Sequence, residues 1–81
     1  MSTADPRALV EFVIKGLVEQ PEAVRVRASE RARMVVIEVK VAPDDVGKVI
    51  GKQGRIARAL RSIVRASGAR AEERYLLEIA D

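Results

Sequence analysis

The run Met34-Val35-Val36-Ile37-Glu38-Val39-Lys40-Val41 constrains the fold more than any other part of the chain, because β-branched residues at this density favour an extended, pleated backbone. Its alternation puts Val35, Ile37, Val39 and Val41 on one face, the predicted core face, and Met34, Val36, Glu38 and Lys40 on the other. Met34 and Val36 are then expected to be ordinary exposed apolar residues, with a protein contact as the alternative. Upstream, Val24-Arg25-Val26-Arg27-Ala28 alternates in the same way, and Ser29-Glu30-Arg31 reads as the polar turn that joins the two strands into a hairpin.

The remaining segments read as helices and one further strand. Asp5 as N-cap and Pro6 at the first helical position start a helix whose apolar residues Leu9, Val10, Val13, Ile14 and Leu17 recur every three or four positions. It is expected to run to about Glu19, before Gln20-Pro21 ends it. Ala42-Pro43-Asp44-Asp45 is a loop leading to an N-cap, with the two acids as dipole partners rather than a catalytic pair. Val46, Val49 and Ile50 then mark a short helix that stops at Gly51. After Gly54 helical spacing resumes, with Ile56, Ala57, Leu60, Ile63 and Val64 opposite Arg55, Arg58, Arg61 and Arg65. Ser67-Gly68 should close that helix, residues 69–74 form a loop, and Tyr75-Leu76-Leu77-Glu78-Ile79 is a last strand.

The predicted order is helix, strand, strand, helix, helix, strand, and 81 residues suffice for one domain, 1–81, since halves near 40 residues rarely fold alone. With 48% apolar and 33% charged residues the chain is globular rather than disordered. The expected fold class is α+β, a two-layer sandwich with helices on one face of a three-stranded sheet. Arg25, Arg27, Glu38, Lys40 and Glu78 suit its solvated face.

Several chemistries are excluded by what the chain lacks. Without Cys or His there is no disulfide, no thiolate metal site, and no member of the commonest class of metal ligand and general base, so neither a metal, a cofactor nor catalysis is expected. Phe12 and Tyr75 are the only aromatics, too few for a broad base-stacking platform. The N-terminal Met1-Ser2-Thr3-Ala4-Asp5-Pro6 has no basic region followed by an apolar run, and no stretch nears the 18 or so apolar residues of a membrane span, so a cytoplasmic location without membrane insertion is expected.

What remains is a charge asymmetry around two glycines. Residues 46–71 hold Lys48, Lys52, Arg55, Arg58, Arg61, Arg65 and Arg70 and no acid, so of the net +3 this stretch carries +7 and the rest −4. Such segregation is the footprint of a polyanion site. At its centre, Gly51-Lys52-Gln53-Gly54 joins two helices, where glycines permit positive φ and close approach while Lys52 and Gln53 supply donors to phosphate. Two glycines alone are as consistent with simple helix caps; the charge block favours phosphate binding. A nucleotide-binding P-loop does not fit, because Val46 stands five residues before Gly51 and Gln53 takes the place of the metal-binding Ser or Thr. A dinucleotide fingerprint does not fit either, since the loop follows a helix.

The motif Val49-Ile50-Gly51-Lys52-Gln53-Gly54 within helix-loop-helix resembles the signature of the KH domain, and the element order resembles its type II, prokaryotic arrangement. The longer run Val41-Ala42-Pro43-Asp44-Asp45-Val46-Gly47-Lys48-Val49-Ile50-Gly51-Lys52-Gln53-Gly54-Arg55-Ile56-Ala57 closely resembles the small stand-alone bacterial KH proteins of the KhpA type. One departure is Ala57, where the broader KH pattern often has a bulky aliphatic residue. The resemblance implies that Gly51, Lys52, Gln53 and Gly54 clamp the backbone of single-stranded RNA while Ile50 helps form an apolar floor for bases. Lys48, Arg55 and Arg58 are adjacent candidate donors; Arg61 and Arg65 are as consistent with a solvated basic face. The bound strand is expected between this loop, its two helices and the edge of the residue 34–41 strand. The resemblance further implies an RNA chaperone or post-transcriptional regulator, with a second KH-containing protein of the KhpB type or a second copy as partner. A KH-fold adaptor for proteins and a binder of single-stranded DNA are the alternatives.

Overall fold

The structure, a computed structural model, describes residues 5–70 and 74–80. Its elements are α1 (Pro6–Leu17), β1 (Arg25–Arg31), β2 (Met34–Lys40), α2 (Val46–Ile50), α3 (Arg55–Arg70) and β3 (Arg74–Ile79), so the predicted α-β-β-α-α-β order stands. Short 3₁₀ turns at Pro21–Ala23, Pro43–Asp45 and Lys52–Gly54 link them.

The sheet order is β1-β2-β3, with β1 antiparallel and β3 parallel to β2. A parallel pair cannot be joined by a tight turn. The chain therefore crosses from the end of β2 to the start of β3 through α2, the glycine loop and α3. That crossover, with α1, lies on one face of the sheet: α3 packs on β3, α1 on β1, and the three helices touch one another. Val10, Ile14, Val26, Ile37, Val39, Val49, Leu60, Val64 and Leu77 form the core between the layers. Burying each such side chain is worth roughly 1.5–3 kcal/mol. Ala57 is 3% exposed, so a small side chain occupies this buried position of α3.

Four expectations are corrected. The first strand does not stop at Ala28; it continues through Ser29-Glu30-Arg31, and the hairpin turns instead at Ala32 and Arg33, with φ of 50° and 65°. Paired φ values above zero make the two-residue turn that matches strand twist, but its usual residues are Asn and Gly, so the sequence gives no cue here. α3 does not close at Ser67-Gly68 but extends to Arg70; of the loop expected at 69–74, residues 71–73 lie outside the described residues and Arg74 opens β3. Ile63, expected on the core stripe, is 40% exposed because it lies at the margin of a stripe centred on Ala57, Leu60 and Val64.

Val36 is the fourth. It faces outward yet is only 2% exposed. By register, Arg31 lies beside Met34 and Glu78 beside Glu38, so the 2.7 Å ion pair between Arg31 and Glu78 spans the sheet diagonally across the Val36 row. A short side chain on the central strand is thus walled in by longer neighbours. Elsewhere on that face Arg25, Arg27, Glu38, Lys40 and Glu78 are exposed as expected, while Met34 is half-buried.

Candidate nucleic-acid interface

Gly51 ends α2 with φ 78° and ψ 171°, a region that is essentially glycine's alone, and its amide closes the helix on the Gly47 carbonyl at 2.9 Å. A Cβ there would come within 2.7 Å of Ile56 Cγ1. Ile56, half-buried, is therefore the residue on which the loop rests, a role its place in a helical stripe does not reveal. Gly54 has φ 72° with open space around it, so only its backbone angle demands glycine. Gln53 between them is also left-handed, at φ 58°.

Two carbonyls of the loop turn inward: Gly51 O accepts from Gly54 N at 3.1 Å, and Lys52 O accepts from Arg55 N. In a trans peptide the N–H points opposite to the C=O, so the amides of Lys52 and Gln53 face outward. Neither donates to an acceptor among the described residues. Arg58 Nη2 donates to Gln53 O at 2.9 Å and Arg55 Nη2 to Gln53 Oε1 at 3.2 Å, so α3 grips Gln53 by both backbone and side chain. The result is a rigid turn presenting two free amides and the exposed Lys52 ammonium at the N-terminus of a long helix, where the macrodipole also favours an anion.

From this loop Arg58, Arg61 and Arg65 run along one flank of α3, all exposed and three or four residues apart. The lower two border a depression of about 200 Å³ whose other wall is Tyr75, Leu76 and Leu77 of β3. This corrects the expected position of the groove. β2 is hydrogen-bonded on both sides and has no free edge; the strand beside α3 is β3. Tyr75 and Leu76 were not among the predicted site residues, since membership of a groove depends on which strand ends up beside α3.

Lys48 and Ile50 fare differently from the loop. Ile50 is half-buried on the last turn of α2, directly before Gly51. Lys48 Nζ is held by Glu19 Oε1 at 3.2 Å and Asp45 Oδ1 at 3.4 Å. The Glu19 carboxylate raises the Lys48 pKa above the usual lysine range, burial pulls it down, and Asp45 adds to the rise. Asp45, 1% exposed, is not the side-chain cap expected at α2; its carboxylate accepts the backbone amides of Glu19 at 3.2 Å and Gln20 at 3.1 Å. Burial pushes this carboxyl up, but the two amides and then Lys48 outweigh it and hold it below the ordinary range. Those amides would otherwise carry α1 onward, which explains why the helix ends at Leu17 rather than near Glu19.

Helix-loop-helix over a mixed sheet, with the glycine loop at the crossover, defines a KH-like fold of the type II order. Aquifex aeolicus Era, solved as a variant bound to GDP·AlF4−, shares this fold, with a TM-score of 0.62 over 91% of this chain and 29% of that one, at 21% identity. The sequence model of the KhpA/KhpB KH domain matches residues 7–79, and the chain belongs to that family. Relatives named RNA-binding protein KhpA include one from Aquifex aeolicus, 51% identical over 90% of this chain and 92% of its own. Those of Caldanaerobacter subterraneus, 48% identical over 88% of this chain and 95% of its own, and Clostridium perfringens, 44% over 90% and 97%, are similarly close. Among the described residues no helix is long and apolar enough to cross a membrane.

Proposed function

We propose that the chain, acting as a single domain, binds single-stranded RNA in the cytoplasm as an RNA chaperone or post-transcriptional regulator. The observation that carries this is the pair of outward amides at Lys52 and Gln53, set beside an exposed ammonium and a column of arginines. A phosphate at the loop meets both amides and Lys52; the strand then follows Arg58, Arg61 and Arg65 while bases lie over Ile50 and the Tyr75–Leu76 wall. The names of its relatives support RNA as the nucleic acid. Lys48, Arg55 and Arg58 stay in the site, though Lys48 acts mainly by tying α2 to Glu19 and Asp45, and Arg58 also by fixing the loop.

Phosphate contacts supply most of the affinity, and about four of them give a salt slope near −3 for a single strand. So small a site binds weakly alone, and a second copy or a KhpB-type protein, as the family's name suggests, would add avidity. A protein adaptor on the same fold gives no reason for the charge segregation. The binder has no need of a catalytic group.

The test replaces Lys52 and Gln53 together by Asp and measures binding of a pool of four- to six-nucleotide RNAs, with folding checked by circular dichroism. Affinity should drop at least tenfold, about 1.4 kcal/mol. A folded double variant that binds as well as the parent rules the clamp out. Matched DNA competitors should displace RNA less effectively than RNA itself; equal competition would favour a single-stranded DNA binder.

A further inference from the structure

The outward face of the sheet divides into two ends of different character. Toward the hairpin end Arg31 pairs with Glu78 at 2.7 Å, Ser29 Oγ donates to Glu38 Oε1 at 3.5 Å, and Arg74 stands exposed beside Met34. At the other end Arg25, Arg27 and Lys40 stand together, all exposed, around a depression of about 240 Å³ that Glu38, Val39 and Ala80 complete. None of the three cations has a carboxylate partner among the described residues. Arg25 donates to the carbonyls of Glu22 at 3.0 Å and Val24 at 2.9 Å, which fixes its guanidinium without neutralising it. Register sets Arg25 directly opposite Lys40, a like-charge cross-strand pair that weakens the sheet, and Arg27 opposite Glu38, a favourable one. Among the described residues, the patch keeps a net +2 even with Glu38 counted.

This end is also where the glycine loop lies. β2 finishes at Lys40 and leads into α2, while α3 starts at the loop and returns to the beginning of β3, so loop and patch occupy the same end in adjacent layers. We propose that Arg25, Arg27 and Lys40 form a second contact for the sugar-phosphate backbone, engaging the part of a longer strand that continues past the loop over the end of the sheet. This rests on the nucleic-acid reading above. The loop holds the first few nucleotides, and the sheet patch adds phosphates only when the strand is long enough to reach it.

The experiment compares oligouridylates of 4 and 12 nucleotides on the parent, on Arg27→Gln/Lys40→Gln, and on Lys52→Asp/Gln53→Asp. At about 0.7 in salt slope per phosphate contact, loss of two contacts should flatten the 12-mer slope by about 1.4 and weaken it about tenfold at 0.15 M salt. The 4-mer should be unchanged by the sheet substitutions and lost on the loop substitutions. Equal 12-mer affinity and slope in parent and sheet variant overturn the proposal, as does an equal loss for both lengths, which marks a diffuse field rather than a contact. Intact 4-mer binding in the loop variant instead overturns the clamp, while a length-dependent loss in the sheet variant still supports the patch. Lys40→Glu guards against a folding artefact: it should raise the melting temperature by replacing a like-charge pair with an opposite one, yet weaken the 12-mer. Polyglutamate bound by the parent and lost in the sheet variant, with 12-mer binding intact, would assign the patch to an acidic protein and overturn the proposal.

Discussion

Among the described residues the backbone takes positive φ in two places, the Ala32–Arg33 hairpin tip and the Gly51–Gly54 loop, and the two differ in what holds them. At the tip, two non-glycine residues at φ 50° and 65° reverse the strand direction; in the loop, glycines take φ 78° and 72° and only Gln53 is left-handed without being glycine. Gln53 is gripped by Arg55 and Arg58, and Gly51 rests on Ile56. Strain at the tip is a by-product of strand register, whereas the loop geometry sets two amides outward. The lesson is that positive φ marks a candidate site only where neighbouring side chains hold it and free donors result.

Gly51→Ala should produce the largest effect, because it meets both a glycine-only conformation and the Ile56 side chain at 2.7 Å. A loss of roughly 2–4 kcal/mol is expected on denaturant titration. Gly54→Ala, with open space, should cost only about 1–2 kcal/mol. Equal losses would show that Ile56 yields easily and that the loop is less supported than it looks.

Asp45→Asn comes next, with a fall in melting temperature of roughly 5–10 °C, since an amide cannot accept both backbone N–H groups as a carboxylate does. The wild-type carboxyl is held below its ordinary value, so its contribution is present above about pH 4 and disappears as pH falls through the depressed value. Melting curves of the Asn variant should therefore lose less stability than the parent between pH 4 and 2. Parallel acid profiles would place the acid sensitivity elsewhere.

Arg61→Gln/Arg65→Gln probes the groove without touching the loop. Binding of a six-nucleotide RNA should weaken roughly tenfold at 0.15 M salt while the melting temperature moves little. Unchanged binding would return both arginines to the solvated surface. The smallest change is at the hairpin: Ala32→Asn/Arg33→Gly should stabilise by about 1 kcal/mol, raising the melting point by about 4–8 °C, with RNA affinity unaltered. An altered affinity would mean the tip participates in binding after all.

Local patterns carried much of this. Alternation in residues 34–41, Asp5-Pro6 as a helix start, the stop at Gly51 and the basic block around it are readable because each depends on neighbours in sequence. The loop residues Gly51, Lys52, Gln53 and Gly54, with Arg55 and Arg58, come together because they are consecutive or one helical turn apart. Val36, Asp45 and Tyr75 escaped because each is defined by a distant partner, respectively the Arg31–Glu78 pair, the Glu19 and Gln20 amides and the flank of α3, while the contact of Ile56 with Gly51 depends on the backbone angles of the loop.

From sequence alone came the α-β-β-α-α-β order, the place of the glycine loop, and the segregation of positive charge, all properties of short-range periodicity, capping and composition. Tertiary structure decided that β3 rather than β2 borders the groove and that Lys48 ties down α2. It also decided that Arg25 and Lys40 meet across a sheet. Strand order and register bring together residues far apart in the chain, and the free energy that selects them is that of the whole packed core rather than of any one segment.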